Sequence, residues 1–260
     1  MDEILQSRKY HRLDLPRETV RDLLEQELKR YRDPRDAQQA ARKKLHGIIA
    51  PYLGDPDYDL EILNLRQAYV KGQPAFKEAC LKVLKQHAST LERIPILDEF
   101  YARIFAFTGE PHAILDVACA LHPLSLPWMN LSASIQYHAY DLHTPRVAFL
   151  NQFFELQGLP TLAEVGDILL NPPQVEAETA FFFKEAHRFE VRQHGCNRAF
   201  WQALKVHWLL VSLPTHNLSK HHSLLEQQRA LVAETTAGLP WKINEILFAD
   251  EIVFCVEKQP

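Results

Sequence analysis

With 260 residues, 47% of them apolar and 24% charged, the chain has the balance of a soluble globular protein, with room for one large domain or a domain plus an extension. No apolar run reaches the roughly 18–20 residues that span a bilayer, and the N-terminus lacks the basic-then-apolar build of a signal peptide, so a membrane protein is not expected. The net charge of −4 argues against a uniformly basic nucleic-acid binder, yet it is uneven: residues 1–50 hold twelve Lys/Arg against nine Asp/Glu, and residues 101–260 hold eleven against sixteen.

The first hundred residues read as helices. Asp14-Leu15-Pro16 opens one that carries Val20, Leu23, Leu24, Leu28 and Tyr31 at helical spacing. Asp33 suits the cap and Pro34 the first position of a second, with Ala37, Ala41, Leu45, Ile48 and Tyr52 on one face. Gly54-Asp55-Pro56-Asp57 is a loop, and a third helix is expected over Pro74 to Gln86. Ser89-Thr90-Leu91-Glu92 has the form of a capping box, starting a helix through Ile94, Leu97, Phe100, Tyr101, Ile104 and Phe105 that stops at Gly109.

Then the period changes. Ala113 to Ala118 is a short buried-strand run, Ile135 to Tyr140 a second ending in Asp141, Leu162 to Ile168 a third and Thr179 to Phe183 a fourth. Helices are expected over Thr144 to Leu156 and from about Glu190 to Lys205. A strand over Trp208 to Leu213, a further helix and a closing hairpin (Ile243 to Phe248, Glu251 to Val256) complete the chain. Strands alternating with helices imply an α/β fold, a mostly parallel sheet covered on both faces, over residues 109–260 behind a helical extension over residues 1–108. The four cysteines (Cys80, Cys119, Cys196, Cys255) form no C-x-x-C pair and read as reduced core thiols of a cytoplasmic protein.

In an open α/β sheet, ligands sit beyond the carboxyl ends of the strands, near the switch point. That rule selects Asp116 to His122, Asp141, Asp167 and Pro214 to Ser219. An acidic residue ending the second strand suits a ribose, and one in the next loop suits an adenine amino group. His216, His221 and His222 share a loop, but no carboxylate or cysteine completes a ligand set at metal spacing, so no metal is expected. Phe181, Phe182 and Phe183 read as buried strand, with only Phe183 near the end where a base could stack.

The run Leu115-Asp116-Val117-Ala118-Cys119-Ala120-Leu121-His122-Pro123-Leu124-Ser125-Leu126 resembles the cofactor loop LDxxCGxNPLAL of the aminoglycoside-resistance 16S rRNA (guanine-N7) methyltransferases. Ser7-Arg8-Lys9-Tyr10, Ala41 to Ile48 and His87-Ala88-Ser89-Thr90-Leu91-Glu92-Arg93 are similar to that family's N-terminal signatures. Phe183-Lys184 and Val211-Ser212-Leu213-Pro214-Thr215 with Leu218 are similar to its C-terminal ones. The resemblance implies a class I Rossmann-like fold with a seven-stranded sheet, S-adenosyl-L-methionine as cofactor, and methylation of guanine N7 in the decoding site of 16S rRNA. The partner is then the assembled 30S ribosomal subunit, met by a monomer, with aminoglycoside resistance as the outcome. It also implies that Arg93 binds the methionine carboxylate and that Asp116, Ala118, Ala120 and His122 form the floor of the site. Asp141 and Leu142 would lie at the ribose, Asp167 and Ile168 at the adenine. RNA contacts are expected from Arg8, Lys9, Arg12, Arg42, Lys43, Lys44, Thr215, His216 and Lys220. On this view, removing residues 1–50 abolishes subunit binding while cofactor binding largely persists.

The chain departs from the pattern. Ala120 replaces a glycine, His122 an asparagine and His216 an arginine, Glu185-Ala186-His187 stands for Leu-Leu-Pro, and the glycine-rich basic loop is rewritten from Ser219 to Leu225. An alanine where positive φ is needed costs about 1 kcal/mol and crowds the ligand. Two alternatives stay open: an RNA-binding homologue with weak or lost methyl transfer, or a methyltransferase for another RNA site.

Overall fold

The computed structural model describes residues 2–7, 10–11, 13–50, 55–217 and 222–259. Helices α1 (Asp2–Leu5), α2 (Arg17–Leu28) and α3 (Pro34–Ile49) come first. The Asp33 carboxylate accepts from the Arg35 amide (2.8 Å) and Pro34 takes the first turn of α3, the cap its sequence promised. Ile4, Val20, Leu23, Ala41, Leu45 and Ile49 close a small core among these three helices.

Next come α4 (Tyr58–Val70), α5 (Gln73–Leu84), the single turn α6 (Ala88–Leu91) and α7 (Leu97–Thr108). Helix α4 was not expected. Asp57 caps it through the Leu60 amide (3.1 Å), but only Ile62 and Leu65 are buried while Leu60 and Leu63 are exposed, so its sequence lacks a clean apolar stripe. The capping box at Ser89 does not form. Ser89 Oγ bonds the ring of His87 (2.8 Å), Thr90 Oγ1 donates to the carbonyls of Leu84 and His87, and Glu92 takes Lys184 (2.5 Å) instead of closing the turn.

The sheet contains β1 (Ala113–Val117), β2 (Gln136–Asp141), β3 (Ala163–Val165), β4 (Glu176–Phe183), β5 (Lys205–Pro214), β6 (Lys242–Leu247) and β7 (Glu251–Glu257), in the order β3-β2-β1-β4-β5-β7-β6. Strands β1 to β5 are parallel; β7 enters antiparallel between β5 and β6. Between them run α8 (Leu126–Met129), α9 (Thr144–Leu156), α10 (Ala186–Arg192), α11 (Cys196–Ala203) and α12 (Leu225–Thr236). The single helix expected from Glu190 to Lys205 is two, because Gly195 takes a left-handed conformation (φ 76°) between α10 and α11. The third strand is shorter than expected, an edge strand paired with β2 over three residues.

Alternation along the strands divides the core. Ile114, Phe181, Phe183, Leu210, Val253 and Cys255 face α4, α5, α7 and α9, while Leu115, Val117, Phe182, Leu209, Val211 and Phe254 face α10, α11 and α12. The order reverses between β1 and β4, so the switch point opens at their carboxyl ends. All four cysteines are free and buried, and no helix among the described residues is long and apolar enough to cross a membrane.

Candidate functional site

A cavity of about 430 Å³ lies over the carboxyl ends of β1 to β4. One wall is made by Ala118, Asp141, Leu142, Gly166, Asp167 and Ile168; the other by Glu27, Arg30 and Tyr31 after and along α2 and by Lys43, Lys44 and Gly47 of α3. Glu185, His187 and Arg188, just past β4, line it as well. Its volume falls in the range of small-molecule sites. Five of the nine cofactor residues expected from sequence therefore meet around one cleft: Ala118, Asp141, Leu142, Asp167 and Ile168. Arg93, Asp116, Ala120 and His122 are buried and do not line it.

The loop after β1 is built around a buried carboxylate. Asp116 Oδ2 accepts from Tyr137 Oη (2.7 Å) and pairs with His122 Nδ1 (2.8 Å); His122 Nε2 meets Tyr101 Oη (2.8 Å), which meets Ser125 Oγ (2.5 Å). His122 thus bonds through both ring nitrogens, and its ring packs edge-on to Phe181 and Phe183. The backbone departs from the ordinary at Ala118 (φ 54°) and Ala120 (φ 48°), both left-handed. Each alanine pays for that conformation where a glycine pays little. Ala118→Gly and Ala120→Gly should each raise the unfolding free energy by up to about 1 kcal/mol in urea titrations. Only Ala118→Gly should also widen the cleft, because Ala118 lines it and Ala120 does not. The steric cost expected at Ala120 is thus borne at the cleft by its neighbour.

Asp141 is buried and already engaged. Its Oδ2 accepts from the Ala120 amide (2.9 Å) and from Arg146 Nη1 (3.2 Å), and its Oδ1 from the His143 amide (2.9 Å). Arg146, completely buried, carries the contact onward to Asp55 (2.6 and 2.8 Å) and Tyr58. This network fixes the turn after β2 to the loop after β1. Burial raises the Asp55 carboxyl, but His143 and Arg146 outweigh it and hold the pKa below the usual range.

Asp167 is more heavily committed. Arg192 grips it with two bonds (2.9 and 2.7 Å), Thr19 of α2 donates to it (2.8 Å), and the Leu169 amide adds a longer bond (3.2 Å). Arg192 also touches Asp22 (3.5 Å), so this carboxylate fastens the N-terminal helices to the sheet. Arg188 adds a second fastening through the Gly47 carbonyl (3.1 Å). Because α2 and α3 form one wall of the cleft, the expectation that cofactor binding outlasts removal of residues 1–50 does not fit this architecture.

Arg93 pairs with Glu251 at the start of β7 (2.5 and 3.3 Å), reaches Ser212 (3.4 Å), and lies between the rings of Phe100 and Phe183. Burial works against its charge, yet the Glu251 carboxylate more than compensates and raises its pKa. Phe183 is thereby committed to Arg93 and His122.

Among the residues expected to meet RNA, Arg42 is exposed beside Glu3 (3.6 Å), Lys43 and Lys44 edge the cleft, and Lys44 pairs with Glu27 (2.6 Å). Thr215 Oγ1 bonds the His216 ring (2.9 Å), and His216 bridges to Ser223 to close the loop after β5. Arg8, Lys9, Arg12 and Lys220 lie outside the described residues. Thr19, Asp55, Arg146, Glu185, Arg192 and Glu251 were not anticipated. A charged residue on the buried face of an apolar helix, such as Arg146 beside Val147 and Leu150, is the one such signal the sequence offers.

The model of a family described as Ribosomal RNA methyltransferase (FmrO) matches residues 6–255. A 16S rRNA (guanine(1405)-N(7))-methyltransferase of Frankia casuarinae is 30% identical, the match covering 93% of this chain and 87% of that protein. One of the same description from Proteus mirabilis is 30% identical over 98% of this chain and 95% of its own. The crystal structure of 16S rRNA methyltransferase RmtF in complex with S-adenosyl-L-homocysteine superimposes with a TM-score of 0.79 at 28% identity, covering 99% and 96% of the two chains.

Proposed function

This chain belongs to the FmrO family of ribosomal RNA methyltransferases, and we propose that it methylates guanine N7 in the decoding site of 16S rRNA within the assembled 30S subunit. Resistance to aminoglycosides that bind there would follow, in a cytoplasmic, monomeric enzyme. The observation that carries this reading is the cleft at the switch point, apolar at Leu142 and Ile168, acidic at Asp141 and edged by Lys43, Lys44, Arg30 and Arg188. That mixture of groups fits an adenosine held against the sheet, with RNA approaching over a basic rim.

S-adenosyl-L-methionine, when bound, supplies an activated methyl group, which the N7 lone pair takes without any base. The protein's task is therefore positioning and exclusion of water. Asp141, held by Arg146 and two amides, keeps one oriented carboxylate edge for the ribose. Leu142 and Ile168 supply the apolar faces. Asp167 serves the adenine side chiefly by holding the walls together, since Arg192 and Thr19 occupy it. Arg93 reaches the methionine carboxylate only by giving up part of its Glu251 pair. Within the helical stretch 1–108, the grip on the subunit is concentrated on α2 and α3, together with Thr215 and His216 beyond β5.

The left-handed alanines and the committed Asp167 and Arg93 favour one other reading, an RNA-binding homologue with weak methyl transfer. Incubating the chain with 30S subunits and S-adenosyl-L-methionine, then mapping 7-methylguanine, separates the two. Modification of a single decoding-site guanine, with kanamycin and gentamicin resistance in a susceptible host, is expected. Subunit binding without modification would establish the other reading.

A further inference from the structure

Two polar groups in the cleft have no part in the scheme above. Glu185 and His187 follow β4, the strand that neighbours β1, and line the same cleft as Ala118 of the loop after β1. The Glu185 carboxyl is held from one side only: Oε1 accepts from Arg188 Nη1 (3.0 Å), which is itself anchored to α3, and no bond to Oε2 forms among the described residues. His187 Nδ1 is buried without a hydrogen-bond partner. The His187 ring lines the cleft, so a turn of the ring about Cβ–Cγ brings Nδ1 out to a bound ligand that completes its bonding.

We propose that Glu185 and His187 read the Watson–Crick edge of the target guanine, the carboxylate accepting from N1–H and the exocyclic amine while His187 donates from Nδ1 to O6. The inference rests on the function proposed above and deepens it. Guanine offers two adjacent donors followed by an acceptor, the complement of a carboxylate beside an imidazole N–H. Adenine would set its N1 lone pair against the carboxylate and its amine against the His187 donor. Attack through N7 also leaves positive charge on the base, which a nearby carboxylate stabilises as it develops.

The ionisation states agree with these roles. Burial pushes the Glu185 carboxyl up to about 7 despite Arg188, so a bound pair of donors tips it to the ionised form. Burial, with Arg188 and Lys184 adding to it, pushes the His187 ring down to about 4, so it is neutral at pH 7.

Glu185→Gln keeps the shape and removes the second acceptor. Single-turnover methylation of 30S subunits carrying either guanine or adenine at the target position should show the guanine rate falling about tenfold or more. The adenine rate should not fall, since the Gln amide N–H can face adenine N1, and Glu185→Asp should recover part of the guanine loss. Calorimetry should give S-adenosyl-L-methionine and S-adenosyl-L-homocysteine affinities within twofold of the parent, which also reports that the variant is folded. Equal slowing on both nucleotides, or no slowing, overturns the proposal. So does selective weakening of the sulfonium-bearing cofactor, which would assign Glu185 to that charge. A parent chain that leaves guanine-bearing subunits unmethylated fells the proposed reaction and this reading together; a fault confined to the variants fells this one alone.

Discussion

Arg93→Met should destabilise the protein by about 3–5 kcal/mol in denaturant titrations, because it strands the Glu251 carboxylate in the interior. Arg93 and Glu251 are 3% and 2% exposed, and Lys184, at 3.5 Å, with the Ser212 hydroxyl would remain to face the acid. Adding Glu251→Met should restore most of the loss, since an apolar pair of similar volume between Phe100 and Phe183 no longer needs a partner. The double variant then isolates the second role. If Arg93 holds the methionine carboxylate as proposed, the folded double variant, without its guanidinium, should bind S-adenosyl-L-methionine at least about tenfold more weakly. Unchanged affinity in a folded double variant would remove Arg93 from the cofactor site and leave it purely structural.

Deleting residues 1–50 should abolish cofactor binding along with subunit binding, a loss on the order of 100-fold or more for S-adenosyl-L-methionine by calorimetry. The deletion strips the wall formed by Arg30, Tyr31, Lys43 and Lys44, and it takes Thr19 from Asp167 and Asp22 from Arg192. At roughly 1.4 kcal/mol per tenfold, 100-fold amounts to about 3 kcal/mol, which the loss of one wall of the cleft readily accounts for. The RNA role needs a gentler probe. Arg42→Glu alone alters charge and leaves both the cleft wall and the Thr19–Asp167–Arg192 fastening in place. That change should reduce subunit affinity several-fold and lower the salt slope by roughly one, with cofactor affinity nearly unchanged because Arg42 does not line the cleft. Equal loss of both affinities would show that the basic rim acts on the cleft rather than on RNA.

The order of strands and helices, the parallel sheet and the strand ends that carry the site were legible in the sequence because they rest on local signals. Strand period, the Asp33-Pro34 cap and Gly109 each act within a few residues of themselves. A positive φ at Ala120 was implied by the glycine that the resembling family carries there, and the backbone adopts it. Helix α4 escaped because its apolar residues are split between a buried and an exposed face, so tertiary packing at Ile62 and Leu65, and not periodicity, selects the helix. What each charged residue binds was decided only by the tertiary structure. Asp167 and Arg192 are 25 positions apart, Asp167 and Thr19 are 148, and Arg93 and Glu251 are 158. Burying one such charge demands a partner, but nothing local in the chain names which one, since the partner is chosen by which strand ends and helix faces the fold brings together.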